Sequence, residues 1–200
     1  MADFAHRELP MVRPIAGLKL GVRKLSPASR PVRAFADPDV GSVTLFLNPE
    51  NSAEEVVADM ARAMMHEATH VAHGQYNPTF MEDAESAGLR NFGHAVVEGI
   101  ALAVEEGVVD AEGFVSDGAF QYTPQGLKVV RDALVDVLYD EATKQQEHYE
   151  FLFGDDAFYG RGYEIGMYVV GNMTMDTNYS AKQMLEAPFS EYVEFAETRL

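Results

Sequence analysis

The 200-residue sequence contains no cysteine. That excludes disulfide bridges, thiolate metal sites and a cysteine nucleophile, and it leaves the redox compartment undecided. Any metal bound here has to be held by histidine and carboxylate. Lysine is scarce as well, five residues on a chain of formal charge −17; an acidic, lysine-poor surface suits a salty environment but is not confined to one. No stretch approaches the roughly 18 consecutive apolar residues of a membrane-spanning helix. The first 35 residues hold no apolar run of signal-peptide length, and Asp3 and Glu8 sit among them, so the expected location is cytoplasmic.

What is present describes a globular chain. An apolar fraction of 47% argues against disorder, and the length is that of one ordinary domain with a real core. Charge is unevenly spread. Residues 1–34 hold seven Lys/Arg against two Asp/Glu, net +5, while residues 35–200 hold eight against thirty, net −22. An acidic body argues against phosphate-backbone binding, so no nucleic-acid partner is expected. The basic segment is expected to dock on the acidic body in cis.

Read in order, residues 1–13 look like a lightly docked arm. Ile15 to Leu25 has a weak β texture, Val32 to Phe35 is a second short strand, and Asp37-Pro38-Asp39 is a turn. Ser42 to Leu47, β-branched and aromatic between Gly41 and Asn48-Pro49, is the clearest strand. Ser52 with Glu55 forms a capping box that opens a helix from Ala53 to His73, with Val56, Met60, Ala63 and Met64 as its apolar stripe and Gly74 as its stop. A second helix starts between Phe80 and Ser86 and runs to about Glu106, with a break expected near Gly88 or Gly93. A third spans about Pro124 to Phe151 and a fourth about Gly162 to Thr174; two short helices follow Ser180. The fold expected is α+β and mainly helical: residues 1–50 a basic arm and small β-containing lobe, residues 51–200 a helical lobe with the metal site on two adjacent helices, in a single domain over 1–200. An exposed edge of the β lobe could pair with an extended peptide.

The chemistry centres on His66-Glu67-Ala68-Thr69-His70. On a helix, His66 and His70 lie one turn apart on one face, where two imidazoles grip one ion. Glu67 is rotated by about 100° from His66, the place for a general base acting on a water at the metal. A catalytic zinc takes three protein ligands and keeps one open position. Candidates for the third are His73, His94, Glu98, Glu82, Asp83 and Glu85. His73 lies seven residues from His66, about 10.5 Å along the helix, too far to share one ion; it reads as a cleft residue or a helix-end cation. Glu98 is better placed, on an apolar segment with Val96, Val97, Ile100 and Leu102, where a carboxylate needs a partner or a metal. The small neighbours Gly99 and Ala101 would let its helix approach the first. His94, one turn before Glu98, is an alternative ligand or a support for one.

His66-Glu67-x-x-His70, then Glu98-Gly99-Ile100-Ala101, then Gly162-Tyr163-x-x-Gly166 resembles the gluzincin class of zinc metallopeptidases. The order of the three segments is most similar to a family known only as predicted zinc-dependent proteases. The likeness covers roughly residues 40–190. It implies a zincin-like fold, Zn2+ on His66, His70 and Glu98, Glu67 as general base, and hydrolysis of a peptide bond in a peptide or protein substrate. An oxyanion donor is also required. Tyr163 is the first choice, with Tyr168, Tyr159 and His148 as alternatives; Glu105 is a possible acceptor for a histidine N–H. Two rival readings stand beside this one: a non-catalytic acidic binding or inhibitor module on a metallopeptidase-like fold, and a purely structural metal.

Overall fold

A computed structural model of the chain describes residues 13–25, 31–82, 84–106, 124–139 and 161–200. Strands β1 (Gly17–Val22), β2 (Val32–Asp37) and β3 (Ser42–Leu47) precede the helices α1 (Ala53–Tyr76), α2 (Ala87–Glu105), α3 (Pro124–Tyr139), α4 (Arg161–Thr177), α5 (Ala181–Glu186) and α6 (Phe189–Glu197). The described chain is thus α+β and mainly helical, its small sheet ahead of the helices. No helix among the described residues is long and apolar enough to cross a membrane.

β3, the most β-prone segment, is the central strand. It pairs in parallel with β1 and antiparallel with β2, in the order β1-β3-β2. The β2–β3 turn closes through Gly41, whose φ of +65° lies in the left-handed region that glycine enters without steric cost. Alternation sends Val32, Val43 and Leu45 to one face of the sheet, all buried, where they meet Met64 and Val71 of α1. The expected stripe of Val56, Met60 and Ala63 packs on the same face. One side of α1 therefore holds the sheet and leaves another side for the helices.

The capping box forms as expected: Ser52 Oγ accepts from the Glu55 N–H at 3.2 Å, and Glu55 Oε2 accepts from the Ser52 N–H at 2.9 Å. The C-terminal expectation fails. Gly74 does not stop the helix, which continues to Tyr76 and ends where the Asn77 N–H donates to the His73 carbonyl at 2.8 Å. Gly74 is small for another reason. A Cβ there would come within 2.7 Å of the Pro38 side chain, so glycine lets the β2–β3 turn lie on the helix.

α2 runs from its Ser86 cap to Glu105 without a break at Gly88 or Gly93. Gly99 belongs to a different contact from the one the sequence suggests. Rather than opening the approach of α2 to α1, it meets Gly166 of α4, and a Cβ on either glycine would run into the other helix's backbone. α4 covers the expected span and extends it by one residue at its start and three at its end. The tail helices are as expected, α5 on a Ser180–Gln183 capping box and α6 after Pro188. The part of the expected third helix beyond Tyr139 lies outside the described residues. Buried Phe92, Ile100, Leu134, Ile165, Leu185 and Tyr192 tie the helices into one core.

Candidate metal centre

α1 and α2 pack against each other and place three donors together. His66, His70 and Glu98 each offer a ligand atom, and these atoms lie within 4.8 Å of one another. Glu98 Oε2 is 3.1 Å from His66 Nε2 and 3.6 Å from His70 Nε2. Donors bound tetrahedrally at zinc, with bonds near 2.1 Å, are separated by about 3.4 Å. The trio therefore fits the ion in both chemistry and spacing.

The site is half-buried, and its charges answer one another. Burial alone would raise the Glu98 pKa, but hydrogen bonds from His66 and His70 hold it well below the usual carboxylate range. Burial would lower His66, yet Glu105 and Glu98 hold it up at about 10. A cation belongs between these groups, whether proton or metal. Glu67, one residue along α1, has its carboxyl pushed up by burial; His70 and His66 oppose this, and the Ala36 N–H donates to it. A carboxylate raised towards neutrality is suited to taking and returning a proton.

His66 is oriented from behind. Its Nδ1 lies 2.9 Å from Glu105 Oε2, which keeps an N–H on Nδ1 and points Nε2 towards Glu98 and His70, where it donates to Glu98 while the ring is charged and offers a lone pair once that proton is displaced. Glu105 is held in turn by Arg62, whose Nε is 3.2 Å from Glu105 Oε1 and whose guanidinium also pairs with Glu106. The sequence offered Glu105 only as a possibility and missed Arg62. The signal was there, because Arg62 sits one turn before His66 on the same helix face.

The remaining candidates separate clearly. His94 lines the same cleft but stands outside the trio, its pKa lowered by burial. His73 lies at the cleft wall, 6% exposed, with its ring edge-on to Phe80 at 4.6 Å and its Nε2 without a hydrogen-bond partner. Burial lowers its pKa to about 4, so it is neutral and not a helix-end cation. Tyr163 is partly exposed on the cleft wall, whereas Tyr168 is buried in the core. Glu82 lines the cleft outside the trio, and Glu85 is likewise not part of it. Asp83, His148 and Tyr159 lie outside the described residues.

The cleft over these groups measures about 1480 Å³, room for several peptide residues. β2 forms one wall. Its free-edge N–H groups are partly engaged already: Val32 donates to Asp59 Oδ2 at 3.1 Å and Ala36 to Glu67. An edge offered to an extended peptide is thus narrowed to the Ala34 stretch. A family model described as "Predicted Zn-dependent protease" matches residues 35–194, most of the chain and every candidate above. No curated protein and no solved structure matches it.

Proposed function

The chain belongs to the family described as predicted Zn-dependent proteases, and from that premise we propose that it is a zinc metallopeptidase of gluzincin type, built as a single zincin-like domain. The observation that carries this reading is the convergence of His66, His70 and Glu98 beside Glu67 in an open cleft. His66 and His70 from α1 and Glu98 from α2 would hold the ion. When bound, zinc supplies Lewis acidity, lowering the pKa of a water and polarising the scissile carbonyl.

The chain's own groups do the rest. Glu67 takes a proton from the attacking water as the new C–O bond forms, then delivers it to the leaving nitrogen as the C–N bond breaks. Tyr163, on the cleft wall, donates to the oxyanion that develops on the former carbonyl oxygen. Glu105 keeps the His66 proton on Nδ1 and so keeps Nε2 available as a donor. The substrate is a peptide or protein segment lying along β2. An acidic binding module would account for the charge of −17 but has no use for an oriented His66 beside Glu67.

The test is hydrolysis of a quenched fluorescent peptide library by the zinc-loaded protein. The expected result is turnover that falls by at least about 10³-fold in Glu67→Gln, with the bound zinc retained. Turnover that survives that substitution at full rate sinks the mechanism.

A further inference from the structure

The two faces of β2 differ sharply. Val32, Ala34 and Ala36 turn inward with Val43 and Leu45. Arg33 and Phe35 turn outward beside their β3 partners Phe46 and Thr44. On that outer face rings and guanidinium groups stack in a row. The Arg33 guanidinium carbon is 5.2 Å from the Phe35 ring centre, Phe35 meets Phe46 edge-on at 6.1 Å, and Arg23 lies 6.0 Å from the Phe46 centre. Arg33 and Phe35 also reach the rim of the cleft. Both are exposed, and Arg33 makes no ion pair with a carboxylate among the described residues.

The carboxylates at this end of the cleft are already engaged. Asp59 accepts the Val32 N–H, and Glu105 and Glu106 hold Arg62. The rim therefore presents a cation pre-oriented on an aromatic face, with no carboxylate partner among the described residues. A guanidinium held this way keeps its donor fork for a planar carboxylate.

We propose that Arg33 and Phe35 select peptide substrates carrying an acidic side chain in the stretch that runs along β2. The inference rests on the peptidase reading and names its substrate class. Ala36 lies against Glu67, so Arg33 stands three residues away along the strand, about 10 Å. The acidic residue then falls two or three positions from the bond that is cut. The net charge of −17 favours basic partners at long range, but that field is screened within about 8 Å at physiological salt. Contact with Arg33 is not screened in this way.

The experiment measures binding to the zinc-loaded Glu67→Gln protein, which holds peptide without cutting it. The probes are fluorescent dodecapeptide pools of acidic, neutral and basic composition and a dT12 oligonucleotide, at physiological salt. The acidic pool is expected to bind about fivefold more tightly than the neutral one. Adding Arg33→Glu is expected to abolish or invert that order, and Arg33→Lys to keep part of it. Arg33 is exposed, so the variants should melt with the parent. An order unchanged by Arg33→Glu, or a basic pool that binds best, overturns the proposal. So does an oligonucleotide that outbinds the acidic pool in an Arg33-dependent way. Hydrolysis by the protein with Glu67 intact separates the two claims. Arg33-dependent acidic binding without any cleavage sinks the peptidase reading alone. Glu67-dependent cleavage indifferent to Arg33 sinks the rim alone.

Discussion

Gly99 of α2 and Gly166 of α4 meet backbone to backbone, so that a Cβ on Gly166 would strike the Ala95 carbonyl oxygen. Two short sequence segments, Glu98-Gly99-Ile100-Ala101 and Gly162-Tyr163-x-x-Gly166, are thereby the two halves of one contact. That contact seats α2 with Glu98 facing α1, and it seats α4 with Tyr163 on the cleft wall. Neither clash can be relieved by turning a flexible side chain. Gly166→Ala is therefore expected to cost about 3 kcal/mol in a urea titration and to weaken zinc binding as Glu98 shifts. Gly93→Ala is the control. Its nearest obstacle is the flexible Met81 side chain at 2.9 Å, and alanine gains about 1 kcal/mol of helix propensity, so the net change should stay within about 1 kcal/mol.

The Arg62–Glu105–His66 chain should be visible in metal affinity. Glu105 and Glu106 both sit at the C-terminal end of α2, where a carboxylate meets the negative pole of the helix and no basic residue of α2 offsets it. Arg62 supplies the offset from α1. Only Glu105 touches His66. Glu105→Gln is expected to weaken zinc binding by about 10- to 100-fold in a chelator competition. Glu106→Gln should change it by less than about twofold. Equal effects from the two would mean that the end of α2, not the hydrogen bond to His66, governs affinity.

Much of this was legible in the sequence. The Ser52–Glu55 box, β3 and the His66–His70 pair depend on neighbours within one or two turns, and they stand as read. The juxtaposition of Glu98 with His66 could be anticipated, because a carboxylate on an apolar segment requires a partner. What failed were glycines. Gly74 reads as a local helix stop and Gly99 as the close approach of its helix to α1, but each is set by a different neighbour distant in sequence, Pro38 and Gly166. Arg33 escaped notice because its significance depends on which face of β2 borders the cleft, and that is fixed by strand register and by the packing of α1.

His73 makes a prediction about acid. Its pKa lies at about 4 in the folded chain against 6.5 ordinarily, because burial disfavours the charged ring, helped by His70. Between those values the unfolded chain binds a proton there that the folded chain does not. Stability contributed by the neutral ring is complete above about pH 6.5 and is lost as pH falls towards 4, by up to roughly 3 kcal/mol. His73→Phe removes this titration. The gap in stability between parent and variant, measured by denaturant unfolding from pH 7 to 4, should narrow or reverse in the variant's favour as pH falls. A gap constant across that range would show that His73 does not contribute.

Tyr163 is assigned a task in the transition state, so its removal should act on kcat. Tyr163→Phe keeps the ring and removes only the donor. The expected change is a fall in kcat of about 10²-fold with KM moved by less than about threefold. A change confined to KM would make Tyr163 a substrate-binding group instead.

The central claim is that α1 and α2 together make one zinc site, and a crystal structure of the zinc-loaded protein with anomalous data at the zinc edge tests it most directly. The expected result is a single strong peak with His66 Nε2, His70 Nε2 and a Glu98 oxygen at about 2.0–2.2 Å and a fourth position open to solvent. A peak that leaves Glu98 uncoordinated, a fourth protein ligand closing the site, or no peak at all from zinc-saturated protein would contradict it.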